Sequence, residues 1–115
     1  MGLKIYKIID NNTAENNENN ILLEFVCDVK LYDATDIFDN CLNYDSDNDD
    51  YYSIAEVYYI YLKDALNNLQ GVINRRMNLL ATQTQDDYIA EANRCYRVLS
   101  KALEGMSSGF FMLFI

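Results

Sequence analysis

Residues 43–56, NYDSDNDDYYSIAE, hold the densest group of potentially functional side chains in the chain. Five carboxylates and three tyrosines fall within these fourteen positions. Closely spaced carboxylate oxygens suit a hard cation, the N-terminal end of a helix, or a basic partner. The segment therefore supports three hypotheses, which stay open at the level of sequence.

The first hypothesis is a cation site. Counted from Asp45, positions 1, 3, 5, 7, 9 and 12 are Asp45, Asp47, Asp49, Tyr51 (through its carbonyl), Ser53 and Glu56. This order resembles the EF-hand calcium loop, which lies between two helices. Asp50 replaces the usual Gly at position 6, and Tyr52 replaces the usual branched aliphatic at position 8. The resemblance implies a calcium-binding adaptor that uses these six ligands.

The second hypothesis is a helix cap. Ser53 and Glu56 have the S-x-x-E spacing of a capping box, and the aspartates before them favour the positive end of a helix dipole. This predicts a long helix that begins near residue 54.

The third hypothesis is a surface that binds a partner protein. The chain has 18 acidic and 9 basic residues and a formal charge of −9. Residues 1–56 carry 13 acids and 3 lysines, whereas residues 57–115 carry 5 acids and 6 bases. Such a field repels nucleic acids and anionic membranes and attracts basic proteins. Aromatic side chains ringed by charge are typical of binding surfaces. The predicted partner-binding residues are Asp45, Asp47, Asp49, Asp50, Tyr44, Tyr51 and Tyr52.

A separate candidate is an anion site in the second half of the chain. Its residues are Arg75, Arg76, Arg94, Arg97 and Lys101. They suit an anionic ligand such as a nucleotide, particularly across a dimer, or they pair with nearby acids such as Asp87 and Glu91.

Catalytic chemistry has few candidates. The chain has no histidine, and its four glycines form no phosphate-binding loop. Cys27, Cys41 and Cys95 fall on apolar faces, where burial raises a thiol pKa. Three cysteines without a C-x-x-C pair indicate a reduced compartment. We therefore expect a cytoplasmic, non-enzymatic protein without a cofactor, and the final FFMLFI is too short to span a bilayer.

The elements that must position these residues follow from apolar periodicity. Strands are predicted at about 3–9, 21–32 and 110–115, and helices at about 34–43, 54–81 and 86–104. In 21–32 the alternation places Ile21, Leu23, Phe25, Cys27, Val29 and Leu31 on one face. The asparagine-rich stretch 10–20 is predicted to be a mobile loop.

These elements predict a single α+β domain, in which a small antiparallel sheet packs on a long antiparallel helical hairpin. Residues 110–115 are apolar on both alternating faces. That strand is therefore expected to be central in the sheet or to have its second face covered by another subunit. A homodimer and a monomer both satisfy the pattern.

The leading functional hypothesis is a small acidic inhibitor that binds a basic protein and blocks its nucleic-acid-binding site. Size, charge, the missing catalytic residues and the asparagine bias are compatible with a phage or mobile-element anti-defence protein, either anti-CRISPR-like or a DNA mimic. The alternatives are an oligomer that binds an anionic nucleotide through the arginines and the calcium-binding adaptor.

Overall fold

The computed structural model describes residues 2–9, 22–79 and 87–115 and shows an α+β fold. The strands are β1 (Leu3–Ile9), β2 (Leu22–Val29), β3 (Tyr44–Asp45), β4 (Asp50–Tyr51), β5 (Ile54–Tyr58) and β6 (Phe110–Phe114). The helices are α1 (Ala34–Ile37), α2 (Tyr59–Leu79) and α3 (Asp87–Leu103), with a 3₁₀ turn at Asp39–Cys41. The predicted loop 10–20 and the predicted helix break at 81–86 lie outside the described residues.

Four strands form one antiparallel sheet in the order β2-β1-β6-β5, and β3 and β4 form a separate hairpin. The strands predicted at 3–9 and 110–115 are confirmed, and β6 is central, as its two apolar faces required. The helices predicted near 34–43 and 86–104 are also present, the first as α1 followed by the 3₁₀ turn.

The prediction that one face of residues 21–32 is apolar throughout is wrong because β2 contains a bulge. Ile5 pairs with Cys27, but Tyr6 pairs with Phe25, so Val26 is the extra residue. An extra residue reverses the side-chain alternation along a strand. Leu23 and Phe25 consequently lie exposed on the opposite face from buried Cys27 and Val29, and Val26 packs against the core instead.

The predicted helix 54–81 begins five residues late, at Tyr59, because Ile54–Tyr58 forms β5. Isoleucine, valine and tyrosine favour strands, and β6 offers an unpaired edge to this segment. Ala55 and Val57 are buried, while Ile54 and Glu56 face outward. The Ser53–Glu56 capping box is therefore wrong as a helix start, since Glu56 belongs to a strand that pairs with Met112.

The core lies between the inner face of the sheet and the two long helices. Its largest fully buried side chains are Phe38, Phe111, Leu3, Ile5, Leu62, Leu69, Leu99 and Leu113. Within the described residues no helix is both long and apolar enough to cross a membrane.

A polar contact fixes α3 on β2. The Arg94 guanidinium donates to Glu91 at 2.8 Å and also reaches the backbone carbonyl of Asp28, and the backbone N–H of Lys30 donates to Glu91 at 2.9 Å. The Arg94 contact, opposed in part by burial, holds the pKa of Glu91 at about 2. This contact therefore stabilises the docking of α3 on the sheet.

The sheet face opposite the helices, which we call the outer face, consists of three rows of side chains. Each row runs across the sheet from β2 to β5. The first row is Asp28, Lys4, Phe114 and Ile54, and the second is Phe25, Tyr6, Met112 and Glu56. The third row contains the pair Leu23–Ile8 and the pair Phe110–Tyr58. Antiparallel sheets usually present a polar face to water, but nine of these twelve side chains are apolar or aromatic.

Candidate partner-binding site

Residues 43–51 of the acidic segment singled out in the sequence form part of what we call the acidic lobe, residues 33–51. It comprises α1, the 3₁₀ turn and the β3–β4 hairpin. Its seven aspartates are Asp33, Asp36, Asp39, Asp45, Asp47, Asp49 and Asp50, and it contains no lysine or arginine. A surface of one sign over this length is a strong attractor for a cationic partner.

The hairpin places like charges side by side. Asp45 on β3 is the cross-strand partner of Asp50 on β4, and the turn between them carries Asp47 and Asp49. Like charges directly opposite each other destabilise a strand pair. Asp49 also adopts a positive φ of 54°, a conformation that aspartate tolerates better than most residues. The hairpin is therefore built at some cost to its own stability.

Local hydrogen bonds hold the turn together. The carboxylate of Asp45 accepts from the backbone N–H of Asp47 at 3.0 Å and from the Asn48 side chain at 2.6 Å. The Tyr44 hydroxyl donates to Asp49, which raises the pKa of Tyr44. Asp50 accepts from the backbone N–H of Tyr51 at 2.8 Å. Asp47, Asp49 and Asp50 are all exposed, whereas Asp45 is half-buried.

Tyrosine also ties the hairpin to the rest of the lobe. The Tyr51 hydroxyl donates to Asp39 at the start of the 3₁₀ turn, and the ring of Tyr51 contacts that of Tyr44 at 5.4 Å between centroids. The backbone N–H of Tyr52 donates to the carbonyl of Asn43 at 2.8 Å. Of the three tyrosines predicted to face a partner, Tyr44 and Tyr52 are 53% and 54% exposed, whereas Tyr51 is half-buried against the core.

The lobe is anchored on the first half of α2. The Asn40 side chain donates to the carbonyl of Tyr61 at 2.9 Å, and the Cys41 thiol lies 3.4 Å from the same oxygen. The Asn68 side chain donates to the carbonyl of Ile37 at 3.2 Å. These contacts join the lobe to α2, so the backbone that carries its carboxylates is held in place.

The residues of the EF-hand-like spacing do not lie in a helix–loop–helix. Asp45, Asp47 and Asp49 belong to the β3–β4 hairpin, Ser53 lies in the link, and Glu56 projects from β5 on the outer face. The helix predicted to follow the loop is the strand β5 here, while α1 and the 3₁₀ turn precede the hairpin. In the part of the chain that the structure describes, no group of three or more His, Cys, Asp or Glu side chains is arranged to hold a metal ion.

The basic residues of the anion-site hypothesis have separate contacts. Arg94 binds Glu91, and Arg76 lies over the Tyr88 ring at 4.4 Å. Arg75 borders a small groove beside Asp33 and Asp36. Arg97 donates to the backbone carbonyl of Asn93, and Lys101 is exposed on α3. The described contacts do not bring these five side chains into one cluster.

The three cysteines are buried, and none is in a disulfide. Burial raises the pKa of the Cys41 thiol to about 12. Cys27 and Cys95 contact each other between β2 and α3, and this hydrogen bond lowers the pKa of Cys27 while it raises that of Cys95. The sequence placed each thiol on an apolar face but gave no sign that these two would meet.

Two features escaped the sequence analysis. The β3–β4 hairpin was hidden because its strands are two residues long, too short for an alternation to show. Its signal was the turn-forming DSDND. The apolar outer face was hidden by the bulge in β2.

No protein family, curated protein or solved structure matches this chain.

Proposed function

We propose that this protein is a small, acidic, non-enzymatic inhibitor that binds another protein through the acidic lobe. Its target is a basic, nucleic-acid-binding site, which the lobe occupies in place of nucleic acid. The observation that carries the proposal is the hairpin, in which Asp45 lies opposite Asp50. Hydrogen bonds of Tyr51 and Asn40 hold the hairpin and the rest of the lobe in place. Fixed like charges destabilise the free protein, and a cationic partner would offset that cost.

Phosphate mimicry is the mechanism we propose. Arginine and lysine side chains that bind phosphates also bind carboxylates, arginine often through two parallel hydrogen bonds. The exposed carboxylates of Asp47 and Asp50 are available for such bonds, and Tyr44 and Tyr52 add exposed aromatic area. The charge of −9 repels nucleic acid itself, so the partner in this proposal is a protein.

The biological setting we propose is a phage or mobile element acting against a host defence, as anti-CRISPR-like or DNA-mimic proteins do. It rests on the combination of small size, acidic charge and asparagine-rich composition. In this setting the partner is a cytoplasmic nucleic-acid-binding protein of the host.

A capture experiment with matched variants tests the proposal. The lobe variant carries Asp47→Asn, Asp49→Asn and Asp50→Asn, and it retains Asp45, whose carboxylate holds the turn. The control variant removes the same number of charges through Glu24→Gln, Asp87→Asn and Glu104→Gln, all exposed and outside the lobe. Each tagged protein is incubated with bacterial lysate, and the retained proteins are quantified by mass spectrometry.

We expect the wild type and the control to retain a basic nucleic-acid-binding protein that the lobe variant loses. We also expect release at roughly 0.5 M salt, because screening then acts within a few ångströms. Equal retention by the lobe variant and the wild type would contradict the proposal.

A further inference from the structure

We propose that the outer face of the sheet is a dimer interface and that its occupant is a second copy of this chain. The inference is independent of the function proposed above, because none of the seven lobe aspartates belongs to the outer face. It rests on the exposure, size, shape and charge of that face.

The exposure of the outer face is unusual for a sheet surface that meets water. Phe25 is 56% exposed, Ile54 51% and Phe110 44%, and they lie on β2, β5 and β6 respectively. Phe25 faces outward because of the bulge in β2, and Ile54 faces outward because its segment forms the strand β5 and not the start of α2. Both departures from the sequence pattern thus add apolar area to the same face. Contiguous exposed apolar surface of this kind marks interaction sites.

Aromatic contacts hold the face in a fixed shape. The Tyr6 ring contacts Phe25 and Phe114 edge-on, at centroid distances of 5.5 and 5.3 Å. Tyr58 contacts Phe110 at 5.1 Å. Rings that are already packed lose little conformational entropy on association, which favours binding without rearrangement.

The area reaches the lower limit for a specific dimer. Four strands about 4.8 Å apart, with rows of outward side chains about 7 Å apart, give a flat area of roughly 400 Å². Two copies would together bury on the order of 1,000 Å² once side-chain relief is included, the size at which specific interfaces begin. Two such sheets stack in the aligned arrangement of a β-sandwich, about 10 Å apart.

The shape and charge of the face favour a second copy as its occupant. A groove of about 1000 Å³ is lined in part by Tyr6, Leu23 and Phe114, and the exposed Phe25 ring contacts one of its walls, Tyr6. A twofold interface joins the same patch on both copies, so a patch that carries both a recess and a protruding side chain can complement itself. The charged residues of the face are Lys4, Asp28 and Glu56, so two copies meet there with little repulsion.

Sedimentation velocity on the full chain tests this inference, from about 1 to 300 µM protein and at about 0.15 and 0.5 M salt. We expect a dimer that persists at the higher salt, since apolar burial is not screened. Phe25→Lys and Ile54→Lys, at opposite edges of the face, should each raise the dimer dissociation constant at least about 100-fold. Ile60→Lys is the matched control, because Ile60 is 46% exposed on α2 and outside the face.

A wild type that remains monomeric at the highest concentration would overturn the inference. Equal weakening by Ile60→Lys would overturn it as well. Circular dichroism reports whether each variant folds, and if Phe25→Lys does not, Ile54→Lys decides. A folded Ile54→Lys protein that stays dimeric would also overturn it.

Discussion

At the scale of single residues, the hydroxyl of Tyr51 joins the β3–β4 hairpin to the 3₁₀ turn through Asp39. Tyr51→Phe removes this donor and leaves the ring in place, so we expect the free energy of unfolding to fall by about 1 kcal/mol. Tyr52→Phe, on the neighbouring exposed ring, should change it by less than about half of that. Urea unfolding of the three proteins measures the difference, and equal losses for both variants would argue against a Tyr51 anchor.

Glu91 makes stability depend on pH. Its folded pKa of about 2 lies below the unfolded value of about 4.3, so its stabilising contribution is complete above about pH 5 and is lost as pH falls towards 2. Its side chain is 20% exposed and its carboxylate binds Arg94, and we expect Glu91→Gln to lower the free energy of unfolding by about 1–3 kcal/mol at pH 7.

The gap between wild type and Glu91→Gln should shrink below about pH 4, as the wild-type carboxylate becomes protonated. Glu104→Gln, at an exposed position after α3, is the matched control and should show a far smaller gap. Denaturant titrations at several pH values follow both, and a gap that stayed constant down to pH 2.5 would contradict the role of Glu91.

The buried thiols predict low cysteine reactivity in the folded state. Cys27, Cys41 and Cys95 are 1%, 5% and 0% exposed. In guanidinium, the unfolded chain should react with a thiol reagent at all three cysteines at pH 8. Over the same time, we expect no reaction at any cysteine of the native protein. A rapid reaction of one thiol in the native protein would contradict the burial of that cysteine.

At the scale of elements, the β3–β4 hairpin carries a repulsion that its substitution should reveal. Asp50→Asn removes one charge from the Asp45–Asp50 pair, and we expect the free energy of unfolding to rise by about 0.2–1 kcal/mol at low salt. The gain should shrink as salt rises, because the repulsion is exposed to solvent. Asp87→Asn, on α3, is the control. Destabilisation by Asp50→Asn would show that the charge pair is not a source of strain.

The elements also show how far the sequence can predict the fold. β1 and α3 follow from apolar patterns that are regular over the whole element, and β6 follows from a short run that is apolar on both faces. The sequence predicts β2 as a strand but places Leu23 and Phe25 on the wrong face of it. The bulge at Val26 cannot be seen in the alternating pattern. The sequence predicts a helix over β5 because the strand character of this segment depends on pairing with β6, a contact distant in sequence.

The candidate site was predicted as a set of residues but not as a shape. The acidic run and its tyrosines were visible in the sequence, yet whether Asp45, Asp47 and Asp49 belong to a calcium loop, a helix cap or a hairpin depended on the flanking elements. The side chain of Tyr51 packs against the core, and its hydroxyl binds Asp39, 12 positions earlier in the chain. Local sequence carries no signal for such a contact.

At the scale of the whole molecule, charge and apolar area lie on different surfaces. The acidic lobe has seven carboxylates and no base, while the outer face has nine uncharged side chains among twelve. Salt weakens binding to the first surface and leaves binding to the second nearly unchanged. The two surfaces can therefore be tested separately in one protein.

The central claim is that the acidic lobe takes the place of nucleic acid on its partner. The most direct measurement is fluorescence anisotropy of a labelled oligonucleotide bound to the captured partner, titrated with this protein. We predict that anisotropy falls to the value of the free oligonucleotide with the wild type and with the Glu24, Asp87 and Glu104 control. It should stay high with the Asp47, Asp49 and Asp50 variant. A rise in anisotropy on adding the wild type would show that all three molecules bind together, and it would contradict the claim.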